Sequence, residues 1–361
     1  MKTLLFITPC LSFAGAEKIL CWLAEKFSEK KYNVHILNLQ LLNNGSDFEI
    51  RNLKNIKVHI LSPINVRGMN NIYRIAKIVN LAKEIHADLL ISFTRYPCIL
   101  SSLSGKLAHI PVIISERGDP YKYTHGLRNK IGFLIMNTSD GCVFQTKNAM
   151  KCYGTALQKR SVIIPNPVFE SKIHCQSPDR IETDIVSVGR IEIIQKRYDL
   201  MIKGFAEFIK IYPKYRLIIY GKGPDEDKLR KLIDKYKIEE NVMLKGLTTD
   251  SLETMSKCGI FIITSDFEGI PNALLEAMSI GMPVISTDCS PGGARFLITD
   301  HENGLLIPTG DYHSIAEALV EFASNNQLKK QCGANAKRVK DLFAPNALFN
   351  EWEKYILMIS K

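Results

Sequence analysis

Two doubly wound α/β lobes, each built on a parallel sheet, are what the 361-residue sequence predicts. Three observations carry this. Short apolar strands alternate with amphipathic helices along nearly the whole chain, the pattern of parallel sheets covered on both faces. A polar stretch with two prolines, residues 166–183, interrupts the alternation near the middle. The length itself gives about two domains at roughly 150 residues each.

The first strand is expected at residues 3–8. The opening MKTLLFITPCLSFAGA also has the basic start, apolar run and small-residue ending of a secretory leader. The strand is preferred, because residues 17–31 form an amphipathic helix with Ile19, Leu20, Leu23 and Phe27 on one face. Further strands of the first lobe are expected at 33–39, 58–61, 89–92, 112–115, 141–144 and 161–164. Between them, residues 66–85 read as a basic helix with Ile72, Ile75, Val79 and Ala82 on its apolar side and Arg67, Arg74, Lys77 and Lys83 elsewhere. Such a helix ordinarily covers a sheet; its alternative is to lie on anionic lipid. Strands of the second lobe are expected at 184–188, 216–220, 242–245, 260–264, 283–287 and 304–307. Helices are expected at 198–211, 226–236, 251–256, 272–280, 312–324 and 327–342. The expected division is 1–170, 171–344 and a last helical segment, 345–361. Two such lobes facing each other leave a cleft at the carboxyl ends of both sheets, where open α/β folds bind ligands.

Composition excludes several classes. At 46% hydrophobic and 23% charged, the chain is neither disordered nor collagenous. No apolar run approaches the ~18 residues of a spanning helix. The nine cysteines are scattered without a C-x-x-C, so neither a zinc site nor a disulfide framework is expected, and a reducing cytoplasm is the simplest setting. Charge is one-sided. Residues 1–170 hold 22 Lys and Arg against 11 Asp and Glu, whereas residues 171–361 hold 25 against 26. A basic first lobe suggests an anionic partner. Nucleic acid is not expected, because no recognisable motif is present and aromatics do not interleave with the charges. The dinucleotide fingerprint, the Walker loop and the G-x-S-x-G elbow are all missing, which disfavours nicotinamide enzymes, P-loop NTPases and serine hydrolases.

Four motifs sit just after expected strands. SDFEGIPNALLEAM, residues 265–278, places Glu268 before a helix and Glu276 in its second turn. Gly269 permits unusual backbone angles, Pro271 suits the first helical turn, and free N–H groups at 269, 270, 272 and 273 suit an anion. GRIEIIQK, residues 189–196, puts Arg190 and Lys196 six apart, two cations able to hold a diphosphate. YGKGP, residues 220–224, offers a G-x-G turn at Gly221 and Gly223 for close backbone approach. PCLSFAGAE, residues 9–17, supplies small residues around Gly15 at a strand-to-helix turn.

Taken in chain order, together with IPNPV at 164–168 and GMPVISTD at 281–288, the motifs resemble those of the family 4 retaining glycosyltransferases, over nearly the whole chain. The resemblance implies two Rossmann-like lobes in the arrangement called GT-B. The N-terminal lobe would bind the acceptor and the C-terminal lobe the nucleotide-sugar donor. The last helical segment would pack back on the N-terminal lobe. Position by position, it implies that Arg190 and Lys196 hold the donor diphosphate and stabilise the leaving nucleotide. Glu276 would bind the donor ribose and Glu268 the transferred sugar. Backbone N–H groups at Gly269, Ile270, Asn272 and Ala273 would meet sugar and phosphates, with Pro271 shaping the turn among them and Gly189, Gly221 and Gly223 lining the donor site. Gly15 would lie near the diphosphate. Neither metal nor cofactor is implied, since Arg and Lys supply the positive charge. The implied reaction retains anomeric configuration, with the departing diphosphate helping to deprotonate the acceptor hydroxyl.

Three departures from the family pattern stand out. Ala14 replaces a frequent glycine, Arg117 replaces a frequent histidine in SERGDP, and Phe296 replaces a frequent glutamate. Glu116, Arg117 and Asp119 remain candidate acceptor contacts. The expected donor is a nucleoside-diphosphate sugar, uridine rather than guanosine on family frequency. The expected acceptor is a glycan or polyprenyl-diphosphate-linked glycan in cell-surface polysaccharide, capsule or lipopolysaccharide synthesis. The basic lobe would dock on the inner face of the membrane from the cytoplasm. The alternatives are a sugar-nucleotide epimerase of the same architecture, for which no acid–base pair is evident, and a non-catalytic glycan-assembly subunit.

Overall fold

The structure, a computed structural model, describes residues 1–11, 15–40, 53, 55–61, 70–169, 180–248 and 250–360. Ala14, Arg67, Cys175 and the expected boundary after residue 170 lie outside the described residues. The chain divides into two compact units, Met1–Pro167 with Pro345–Lys361, and Val168–Ala344.

The first unit holds seven strands: β1 (Thr3–Thr8), β2 (Asn33–Asn38), β3 (Lys57–Ile60), β4 (Leu89–Phe93), β5 (Val112–Ser115), β6 (Gly141–Phe144) and β7 (Val162–Ile163). They form one parallel sheet ordered β3-β2-β1-β4-β5-β6-β7. All six residues of β1 are buried, as an apolar run covered on both faces should be. The second unit holds β8 (Ile181–Val188), β9 (Arg216–Tyr220), β10 (Val242–Gly246), β11 (Cys258–Ile263), β12 (Val284–Thr287) and β13 (Leu305–Ile307). Their order is β10-β9-β8-β11-β12-β13, again all parallel. In each sheet the chain order reverses direction beside the first strand, between β1 and β4 and between β8 and β11. Open α/β sheets bind ligands at such switch points.

The helix Pro345–Ile359 belongs to the first unit. Phe349 meets Phe27 at 4.9 Å between ring centroids, and Trp352, fully buried, stacks on Phe93 at 5.8 Å. The Tyr355 hydroxyl donates to the backbone carbonyl of Arg160.

Several expectations need correction. The basic helix runs over Asn70–Glu84 and buries Ile78 and Ala82; Val79 is only half-buried and Ile72 is 65% exposed. The expected single helix over 327–342 is two, Asn326–Ala336 and Val339–Leu342. A short helix, Ile193–Lys196, lies inside the GRIEIIQK motif, where no helix is among the expected elements.

Candidate active site

β8 and β11 are hydrogen-bonded neighbours at the switch point of the second sheet. The segments leaving their carboxyl ends therefore emerge side by side. One carries Gly189, Arg190 and the helix Ile193–Lys196; the other carries residues 264–271 and then the helix Asn272–Ser279.

These segments are clamped together. Asp266 N donates to Gln195 O at 2.9 Å, Gln195 Nε2 to Phe267 O at 3.2 Å, and Thr264 Oγ1 to Lys196 O at 2.9 Å. Arg197 ends the short helix in a left-handed conformation, φ 51°, and its guanidinium pairs with Asp199 at 3.1 Å and Asp266 at 2.8 Å. Hydrogen bonds to Asp199 hold the Arg197 pKa well above its ordinary value, with Asp266 adding to the effect.

The clamp delivers Lys196 onto Glu268, with Nζ and Oε1 2.5 Å apart. Their side chains are 18% and 13% exposed. Burial by itself would lower the lysine pKa, but the Glu268 carboxylate outweighs it and raises the value above 10.5. Ser265 Oγ donates to the same Glu268 oxygen at 2.9 Å. The Glu268 amide donates to Ser290 O at 2.8 Å, so the following loop braces the carboxylate's backbone. Gly293 lies so close that a Cβ there would fall 1.5 Å from the Gly269 carbonyl oxygen.

Glu276 accepts a hydrogen bond from Ser251 Oγ at 2.8 Å. Gly269, Ile270 and Pro271 are buried; Asn272 and Ala273 are half-buried. Pro271 occupies the N-cap position of the helix Asn272–Ser279, just outside the first helical turn that was expected to hold it, and makes no side-chain cap. Arg190 is exposed, and among the described residues nothing engages its guanidinium. Gly189, Gly221 and Gly223 form a backbone cross-over at the ends of β8 and β9. Gly221 has φ 153°, and a Cβ there would sit 1.8 Å from the Gly189 carbonyl oxygen. Asp225 Oδ2 accepts from Ile193 N at 2.9 Å and ties this cross-over to the Lys196 helix.

The remaining candidates lie in the first unit. Gly15 begins the helix Gly15–Glu29. Glu116 accepts from the Tyr153 hydroxyl at 2.5 Å and from Gly118 N at 3.2 Å. Asp119 caps the 3-10 turn Pro120–Tyr123 through Tyr121 N. Arg117 donates to Asn166 Oδ1 at 2.7 Å, with its guanidinium 4.5 Å from the Phe93 ring centroid and 5.7 Å from that of Trp352. Burial pushes its pKa down to about 9. Phe296 is 45% exposed and meets Phe343 at 5.8 Å. Arg197, Asp266, Gln195 and Ser251 were missed by sequence reasoning. Only the adjacent Arg197–Asp199 pair had a local signal. Among the described residues no group of three or more His, Cys, Asp or Glu side chains is placed to hold a metal ion.

Comparison with known proteins places this geometry in context. Residues 176–339 match the model described as Glycosyl transferases group 1, and residues 10–140 match Glycosyl transferase 4-like. An uncharacterized glycosyltransferase of Methanocaldococcus jannaschii is 28% identical, over 62% of this chain and 61% of that protein. One of Haemophilus influenzae is 24% identical, over 96% and 98%. The N-acetylgalactosamine-N,N'-diacetylbacillosaminyl-diphospho-undecaprenol 4-alpha-N-acetylgalactosaminyltransferase of Campylobacter jejuni is 32% identical, over 48% and 46%. The chain thus spans less than two thirds of the Methanocaldococcus and Campylobacter proteins. Among solved structures, Anabaena HepE in complex with UDP and glucose superposes with a TM-score of 0.83 at 18% identity, covering 99% of this chain and 100% of that one. The fold is GT-B.

Proposed function

From the premise that this chain belongs to the group 1 glycosyltransferases of the family 4 type, we propose that it moves a sugar from a nucleoside-diphosphate sugar to a hydroxyl of a glycan or lipid-linked glycan. Anomeric configuration is retained. The observation that carries the reading is the Lys196–Glu268 pair at the β8/β11 switch point, with Gly189 and Glu276 on the same segments.

Each group has a role that its position suits. Lys196 and the exposed Arg190 take the diphosphate and stabilise the charge that develops as the nucleotide leaves. Glu268 orients Lys196 and accepts from sugar hydroxyls. Glu276, steadied by Ser251, binds the ribose. Because Lys196 is already held at 2.5 Å by a carboxylate, a phosphate oxygen meets a cation fixed in place, and little reorganisation is left for the transition state. The second unit is thus the donor side and the first, basic unit the acceptor side. Uridine is the favoured base, in keeping with UDP in the HepE complex. A membrane-bound acceptor is favoured by the Campylobacter relative, whose name specifies a diphospho-undecaprenol substrate.

The test is transfer from a panel of UDP- and GDP-sugars to a polyprenyl-diphosphate-linked glycan, with NMR of the new linkage. An α-linked donor giving an α-linked product, lost in Lys196→Ala, supports the reading. Epimerised donor without transfer, or an inverted product, overturns it.

A further inference from the structure

We propose that the outer face of the helix Leu127–Met136 is the surface by which this protein docks on an anionic lipid bilayer. The inference deepens the membrane-bound acceptor reading and rests on it. On this helix Leu127 is 76% exposed, Ile131 47% and Leu134 68%, at the i, i+4, i+7 spacing of one face. The helix is not loose. Its other face is docked, with Gly132 and Met136 buried, Arg95 Nη2 donating to Asn129 O at 3.0 Å, and the Arg95 guanidinium 4.4 Å from the Phe133 ring centroid. The three apolar side chains are therefore presented to the outside by a fixed element.

Charge decides which partner fits. Residues 120–139 contain no Asp or Glu, and Lys122, Arg128 and Lys130 are exposed beside the apolar face. The Tyr121 hydroxyl donates to Asn148 O at 3.1 Å, which brings the segment bearing exposed Lys147 and Lys151 against the 3-10 turn. From 120 to 169 the single carboxylate is Asp140, which is taken up by Val112 N at 2.9 Å. A second copy meeting this face through the same face would set cation against cation. An anionic bilayer instead offers apolar depth for Leu127, Ile131 and Leu134 and phosphate charge for Lys122, Arg128 and Lys130, the balance of an interfacial helix. The helix Asn70–Glu84 fits less well, because Ile72 is the one large apolar side chain it exposes and it ends on Glu84.

The test is co-sedimentation of the purified chain, without donor or acceptor, on vesicles of phosphatidylcholine alone or mixed with phosphatidylglycerol. The wild type should bind the anionic vesicles, and less as salt rises. The combined variant Leu127→Ser, Ile131→Ser, Leu134→Ser should bind about tenfold more weakly, as should Lys122→Gln, Arg128→Gln, Lys130→Gln. Unchanged melting and an unchanged thermal shift with UDP would show that both variants still fold. Wild-type protein that ignores anionic vesicles, or variants that bind as well as wild type, would overturn the proposal. So would light scattering that finds a dimer broken by the apolar variant, which would give the face to a second copy. Vesicle binding that persists when UDP produces no shift would leave this surface standing and remove the donor reading instead.

Discussion

Replacing Glu268 by Gln keeps the side chain's volume and an acceptor for Ser265 but removes the charge that faces Lys196. The two groups are 2.5 Å apart and their side chains are 18% and 13% exposed. Solvated ion pairs contribute only about 0–1 kcal/mol. Removing one partner of a buried pair costs about 3–5 kcal/mol, because the other charge stays behind uncompensated. The residual exposure here argues for the lower end, about 3 kcal/mol. In a domain the size of Val168–Ala344, that corresponds to roughly 6–12 °C in melting temperature. The assay is calorimetry on a cycle of Glu268→Gln, Lys196→Met and the double variant, where a coupling energy of about 2 kcal/mol is expected. The lysine pKa is raised in the fold, so its share of the pairing is full below the ordinary value of 10.5 and is lost as pH rises through the higher folded value. On the lysine side the coupling should therefore not change between about pH 7 and 9. A saturating nucleoside diphosphate should stabilise Glu268→Gln more than wild type, since it supplies the missing negative charge. A coupling below about 0.5 kcal/mol would mean that the pair behaves as a solvated surface contact, and the reasoning would fail.

Other outcomes follow from the same geometry. Arg190→Ala should melt within about 0.5 kcal/mol of wild type, since among the described residues nothing engages the side chain, yet lose much of the thermal shift with UDP; an undiminished shift would remove Arg190 from the diphosphate site. Gly221→Ala should destabilise by about 1–3 kcal/mol, because its Cβ would meet the Gly189 carbonyl and its φ is positive; denaturant melting checks this. Trp352→Ala should cost about 3–5 kcal/mol and free the C-terminal helix for proteolysis, and a resistant helix would contradict its packing on Phe93. His35 is buried beside His59; burial, with the neighbouring His59 adding to it, lowers its pKa from 6.5 to about 4. The fold holds it neutral, so stability should be lost as pH falls from 6.5 toward about 4, and His35→Gln should flatten acid melting over that window.

The strand 3–8 was readable because a continuous apolar run bounded by an amphipathic helix has few other uses. The turn glycines of YGKGP and the Glu268–Glu276 spacing were readable because they sit at sharp changes of period. The inward side of the helix Asn70–Glu84 was misjudged because Ile75, Ile78, Val79 and Ala82 are all apolar, and a helical wheel cannot tell which of them meets the sheet. Arg117 reads as a candidate acceptor contact. Its enclosure against Phe93 and Trp352 joins segments more than two hundred residues apart, a burial that local polarity hides.

By itself the sequence determined the fold class, the strand positions and the chemistry available after each strand, because period and turn chemistry are local properties of the backbone. It did not determine which of those groups meet. Lys196 and Glu268 are 72 residues apart and pair because β8 lies beside β11 in the sheet. Arg197 and Asp266 lock that pairing through contacts with no sequence periodicity. The helix Pro345–Ile359 belongs to the first unit although the second precedes it in the chain. Those decisions belong to strand order and side-chain packing, which depend on apolar surface being covered in three dimensions.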